Sequence, residues 1–196
     1  MKHAQACGLR DFFVEEDIQE CLELGFLHGK SSAYIGAIIS ERGRGHLTTL
    51  DREEARSYTP NILELLQVLN LEQWVTAVFA TRSYSWELMR MIEAGKHTFD
   101  FAYIDGGHTW HQAGFDFFQV DKLLRPGGWI IFDDLDWNHE MICDERGRSP
   151  LWIEQMEVEE RTTPQVRKVW DLLVRTHPSY DVVREENDWG WARKRR

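Results

Sequence analysis

No apolar stretch of the chain approaches the length of a membrane span, so no transmembrane helix is expected. The first thirty residues are interrupted by charges at Arg10, Asp11 and Glu15–Asp17, so no secretory leader is expected either. Cysteine is scarce. Cys7, Cys21 and Cys143 are odd in number and lack the spacing of metal ligands, which points to a reducing cytoplasm. Basic charge is also short: 23 Lys and Arg stand against 33 Asp and Glu, for a net charge of -10, which argues against a general nucleic-acid binder. The basic run Arg193–Arg196 reads as a solvated chain end. There are no internal repeats and no sign of a second domain, and 196 residues suffice for one substantial core. Two nucleotide-binding signatures are missing as well. Gly29-Lys30-Ser31 has the wrong spacing for a P-loop, and with only Gly25 and Gly29 the first turn is not a full GxGxxG.

What is present concentrates between Phe99 and Trp137. Two apolar runs, Phe101–Ile104 and Trp129–Phe132, end in carboxylates, the first at Asp105 and the second at Asp133 and Asp134. Short apolar runs bounded by turn residues suit strands buried on both faces. Thr109–Leu124 between them is long enough for one crossover helix, with Thr109 and Gln112 spaced for a capping box and Pro126-Gly127-Gly128 as its stop. The unit is βαβ, so the strands are expected to be parallel and to bring three acids to the edge where open α/β sheets bind ligands. Such a cluster suits a magnesium ion, which takes oxygen ligands. It suits equally a loop cap whose acids pair with surface arginines.

Around this unit the chain reads as an ordered α/β series. Met1–Gln19 is expected to be a lead-in of one or two helical turns. Cys21–Gly25 is the first strand, followed by a glycine turn and a helix with Ile35, Ile38 and Ile39 on one face and Gly43 as terminator. This geometry brings backbone N–H groups close to a ligand. His46–Asp51 is the second strand, and its terminal acid suits ribose hydroxyls or a helix cap. Thr59-Pro60 is expected to open a helix that buries Leu63, Leu66 and Leu69. Trp74–Ala80 and Ser83–Ala94 follow as strand and helix. Asp136–Thr162 is charged and aperiodic, as a lid, a substrate loop or a disordered insert would be. Thr163-Pro164 opens a last helix through Val166, Val169, Trp170 and Leu173. Tyr180–Arg184 and Trp189–Arg193 form an antiparallel hairpin. Of nine tryptophans, Trp110, Trp137 and Trp152 are candidates to wall a pocket.

With its terminal hairpin, the whole pattern resembles the class I S-adenosylmethionine-dependent methyltransferase fold. That fold is a Rossmann-like α/β sandwich on a mostly parallel seven-stranded sheet with an antiparallel C-terminal hairpin strand. More specifically, the chain is similar to the macrocin O-methyltransferase (TylF) and Methyltransf_24 families. The resemblance rests on Glu23-Leu24-Gly25 with Gly29-Lys30-Ser31-Ser32, on Tyr103-Ile104-Asp105-Gly106-Gly107-His108-Thr109-Trp110 with Asp116, and on Leu123–Gly128 leading to Asp133-Asp134. It implies S-adenosylmethionine as cofactor, held by Glu23, Gly25, Gly29, Ser31, Asp51, Arg52, Thr81, Ser83 and Asp105. It implies Mg2+ on Asp105, Asp133 and Asp134, and His108 with Asp105 as the catalytic residues, His108 being the base. The activity implied is methyl transfer to a hydroxyl of a small molecule, a sugar or a phenolic natural product. Homo-oligomer formation is left open. The competing readings are a metal-independent methyltransferase and a non-catalytic binder of S-adenosylmethionine. An NAD-dependent dehydrogenase is disfavoured by the missing glycine and the hairpin.

Overall fold

The computed structural model describes residues 1–95, 99–142 and 150–196. Strands β1 (Glu20–Leu24), β2 (His46–Arg52), β3 (Val75–Ala80), β4 (Phe99–Ile104) and β5 (Leu124–Phe132) pair in parallel. β6 (Tyr180–Glu186) and β7 (Trp189–Lys194) form the terminal hairpin, and β7 inserts antiparallel between β5 and β6. The sheet order is β3-β2-β1-β4-β5-β7-β6, a mostly parallel seven-stranded sheet with an antiparallel hairpin strand as expected. Strand order reverses between β1 and β4, which opens a crevice at their carboxyl ends.

Strand alternation divides the core into two layers. Leu22, Leu24, Ala102, Ile104, Ile130 and Phe132 face α4 (Ser85–Ala94), α5 (Trp110–Leu123) and α8 (Gln165–Val169), where Leu88, Phe117 and Val169 meet them. α8 continues as a π-type turn over Trp170–Val174. Cys21, Phe101, Tyr103, Trp129 and Ile131 face the opposite layer of α1 (His3–Glu15), α2 (Lys30–Arg42) and α3 (Ile62–Leu69).

Four expectations are corrected. The lead-in is a helix of 13 residues, because Leu9, Phe12 and Phe13 form a buried stripe that charges at Arg10 and Asp11 mask in the sequence. α3 begins at Ile62, not at Pro60, because Asn61 and Glu64 make the capping box there: Asn61 Oδ1 accepts from the Leu63 and Glu64 amides, and Glu64 Oε2 accepts from the Asn61 amide at 3.0 Å. Its buried residues are Ile62 and Leu66, while Leu63 and Leu69 are exposed. Thr109 is the N-cap of α5, but its hydroxyl makes no capping bond. The Trp110 amide is taken by Gln165 Oε1 at 2.6 Å, and Gln112 turns to Asp116. β5 starts at Leu124, so Arg125–Gly128 extends the strand and does not stop a helix. Segment 136–162 contains the short helices α6 (Leu151–Glu154) and α7 (Val158–Thr162). Cys143 lies outside the described residues.

Phe13 is fully buried, with its ring edge-on to Phe101 at 4.9 Å. Phe13→Ala is expected to cost about 3–5 kcal/mol in a denaturant melt. A loss below about 1 kcal/mol would mean that α1 is not part of the core.

Candidate active site

The sheet ladder runs one residue past each central strand. The Gly25 amide donates to Leu50 O (2.8 Å), the Asp105 amide to Leu24 O (2.9 Å) and the Asp133 amide to Ile104 O (3.0 Å). These bonds set the starts of the three loops that follow β1, β4 and β5. Gly25 sits at φ +86°, and a Cβ there would lie 2.1 Å from Asp105 O. Only glycine lets the first turn approach the loop after β4 this closely.

Between these loops and the ends of β2 and β3 lies a cavity of about 770 Å³. Of the expected cofactor residues, Gly25, Ser31, Asp51, Arg52, Ser83 and Asp105 line it, and Glu23, Gly29 and Thr81 do not. Glu23 is fully buried beneath α2, where its carboxylate accepts from Ser32 Oγ and from Thr49 Oγ1 (2.6 Å). Burial pushes that carboxyl up, against those bonds. Gly29 supports the turn from behind at φ +89°, where a Cβ would meet Ile62 Cγ1 at 2.6 Å. Asp51 clamps the glycine turn. Its Oδ2 accepts from the Phe26 (3.0 Å) and Leu27 (2.7 Å) amides and its Oδ1 from the Arg52 amide (2.7 Å). It caps the preceding turn and not the following helix.

On the cavity wall Asp105, His108 and Asp134 converge, with one ligand atom from each lying within 4.8 Å of the others. His108 Nε2 is 3.1 Å from Asp134 Oδ2 and 3.8 Å from Asp105 Oδ1. The residue is half-buried, but its Nε2 is shielded from solvent and makes no aligned hydrogen bond. Asp134 turns outward because its backbone is left-handed, at φ +55°, an arrangement that costs free energy in a non-glycine residue. Asp133 is not brought into this group. It continues the pleat of β5 inward, accepting from the Tyr103 hydroxyl at Oδ2 and from Trp189 Nε1 (2.8 Å) at Oδ1. Burial, then the charges of Asp133 and Asp134, push the Asp105 carboxyl well above the usual range. Burial and Asp134 raise Asp133. Burial would raise Asp134 too, but the neighbouring His108, together with the Met1 ammonium and Lys2, outweighs it and brings Asp134 below its usual value.

Residues 22–135 match the family model described as a methyltransferase domain. The chain belongs to this methyltransferase family. No curated protein sequence matches it. Among solved structures it is similar to an O-methyltransferase from Bacillus cereus in complex with S-adenosylhomocysteine, with 19% identity, a TM-score of 0.73 and coverage of 100% of this chain and 82% of that one. It is also similar to the O-methyltransferase TomG from Streptomyces achromogenes in complex with S-adenosylmethionine, with 16% identity, a TM-score of 0.69 and coverage of 100% and 82%. The Podospora anserina methyltransferase PaMTH1 bound to S-adenosylhomocysteine has 14% identity, a TM-score of 0.69 and coverage of 100% and 80%. At these identities the likeness establishes the class I methyltransferase fold.

Several wall residues of this methyltransferase carry no motif. Tyr58, Arg82, Tyr84 and Gln112 line the cavity. Only Asp116, in the block containing His108, hinted at the polar network that Tyr84 and Gln112 make with it. Of the three tryptophans, Trp137 lies beside His108, with ring centroids 4.7 Å apart, and Trp152 lies edge-on to His139 at 5.4 Å. Trp110 lines a separate groove with Glu157, Glu160 and Lys168. None of the three lines the main cavity.

Asp116 is fully buried, and burial raises its carboxyl to about 7 despite hydrogen bonds from Tyr84 and Gln112. A raised folded pKa means that the native state holds the proton more tightly than the unfolded chain. This contribution to stability is therefore complete below about pH 4 and is lost as pH rises towards about 7, by roughly 1.4 kcal/mol per unit at most. Asp116→Asn is expected to flatten the stability profile over that window in denaturant melts at several pH values. An unchanged slope would place the proton elsewhere.

Proposed function

We propose that this methyltransferase uses S-adenosylmethionine and a magnesium ion to methylate a hydroxyl of a small molecule, a sugar or a phenolic natural product. The observation that carries the reading is the convergence of Asp105, His108 and Asp134 on the wall of a cavity bounded by the Gly25 turn. The O-methyltransferases among the solved structures, bound to S-adenosylhomocysteine or S-adenosylmethionine, support the choice of cofactor and acceptor atom.

The residues present fit both groups. Gly25 lines the cavity and lets the first turn pack against the loop after β4, and Ser31 stands at the start of α2. An ionised carboxylate has about four acceptor sites. Asp51 uses three on backbone amides and keeps one for a ribose hydroxyl. Arg52 and Ser83 flank the adenosine end in this reading. Carboxylates at Asp105 and Asp134 supply the hard oxygen ligands that magnesium prefers, with the charge of Asp133 close behind them. Bound there, S-adenosylmethionine supplies an electrophilic methyl group and magnesium lowers the pKa of an acceptor hydroxyl. His108 Nε2, buried and without an aligned partner, receives the hydroxyl proton, and Asp134 stabilises the imidazolium that results. The metal-independent alternative draws on that same His108–Asp134 pair, 3.1 Å apart, with Asp133 engaged elsewhere.

Calorimetric titration of metal-stripped protein separates the two. S-adenosylhomocysteine is expected to bind, with a distinct magnesium heat that Asp134→Ala abolishes. Cofactor binding without any magnesium heat would remove the metal from the reaction. In an acceptor screen, His108→Ala is expected to lower turnover by roughly 10²–10⁴-fold, and near-normal turnover would place the base elsewhere.

A further inference from the structure

We propose that Asp116 is a positioning residue of this site: through Tyr84 it holds the Gly106–Gly107 turn that carries His108. The proposal rests on the reading of His108 as base, although no step of that reading uses Asp116 or Tyr84.

Asp116 lies inside α5 and is fully buried, and among the described residues no cation pairs with it. Its Oδ2 accepts from the Tyr84 hydroxyl at 2.8 Å and its Oδ1 from Gln112 Nε2 at 2.8 Å. The Tyr84 oxygen in turn accepts from the Gly107 amide at 3.4 Å. The turn is seated directly on this pair. A Cβ on Gly106 would lie 2.1 Å from the Tyr84 oxygen and 3.3 Å from Asp116 Oδ2. Tyr84 and Gln112 both reach the cavity wall, so one buried carboxyl anchors two wall residues on different elements.

Energetics supports a role beyond stability. A buried carboxyl whose only partners are neutral costs free energy that an apolar side chain would not. Burial and the adjacent Asp116 hold the Tyr84 hydroxyl well above its ordinary range, so it remains a proton donor to Asp116. A hydroxyl held at both ends is directional where a phenyl ring in the same place is not. It constrains the backbone between Asp105 and His108, where a displacement of about 1 Å is enough to lower a rate by roughly a hundredfold.

Hydrogen exchange at the Gly107 amide, followed by mass spectrometry on a peptide spanning the turn, reads this hold directly. Tyr84→Phe and Asp116→Ala are each expected to speed that exchange by roughly tenfold. Protection in β1 and β5, and affinity for S-adenosylhomocysteine, should stay within about threefold. With catechol as probe acceptor, kcat should fall roughly 10- to 100-fold while KM for S-adenosylmethionine holds. The double variant should be no worse than either single one, and Asp116→Asn should recover most of the loss because its amide oxygen still accepts from Tyr84. Unchanged exchange at Gly107 in Tyr84→Phe would overturn the proposal. So would loss of cofactor affinity and of β-strand protection in step with turnover, which would mark Asp116 as merely structural. If His108→Ala leaves turnover intact while Gly107 still responds, the reading of His108 fails and the hold on the turn stands. If wild type does not methylate the probe, the exchange experiment alone decides.

Discussion

The geometry of the site depends on the parallel ladder at the carboxyl edge of β1, β4 and β5. Each strand donates one more backbone bond beyond its last apolar residue, from Gly25, Asp105 and Asp133. Loop conformation is therefore constrained from its first residue. Because the Gly25 turn and the loop after β4 must approach within a distance that excludes a Cβ, the strand register and the cavity are set together. The side chains come afterwards. Asp51 fastens the Gly25 turn to β2 through the Phe26 and Leu27 amides, and Tyr84 meets the Gly106–Gly107 turn from the start of α4.

Much of this was legible in the sequence where apolar runs ended in glycine or acid. The five parallel strands, the crossovers and the hairpin follow from runs of four to seven residues bounded by turn chemistry, and so does the convergence of Asp105 and Asp134 at one edge. The pair Asp133-Asp134 held more information than a motif reading takes from it. Strand alternation sends Ile131 and then Asp133 to the face of Tyr103 and Trp189, so Asp133 turns inward as the pleat dictates, and Asp134 faces the cavity only because its backbone leaves the strand at positive φ. What the sequence did not reveal depends on tertiary partners. The Trp110 amide chose Gln165, 55 residues away, over the local Thr109 cap, and α1 is stabilised by aromatic packing that its own charge pattern obscures.

A comparison within β4 shows how the protein treats buried acid. The strand carries an aspartate at its amino end and is followed by one at its carboxyl end. Asp100 accepts from the Gln19 (2.8 Å) and Glu20 (2.9 Å) amides and pairs with Arg125, so its charge is both hydrogen-bonded and neutralised. It joins β1 to β4 as a structural group does. Asp105 has no such partner. Among the described residues no arginine or lysine side chain pairs with Asp105, Asp133 or Asp134; burial, then Asp133 and Asp134, raise Asp105, and burial, then Asp134, raise Asp133, with the Met1 ammonium pulling against both.

That asymmetry distinguishes the two ends of β4. The aspartate at the start of β4 is paired by Arg125, whereas the one just past its end has no arginine or lysine pairing among the described residues and has the Met1 ammonium nearby. The raised carboxyls of Asp105 and Asp133 weaken the fold as pH rises. Tyr103 and Trp189 hold Asp133 from within, with the Met1 ammonium 3.8 Å from its Oδ2, and His108 holds Asp134 from outside. The single Met1 ammonium beside Asp105, Asp133 and Asp134 leaves the carboxyl edge short of positive charge.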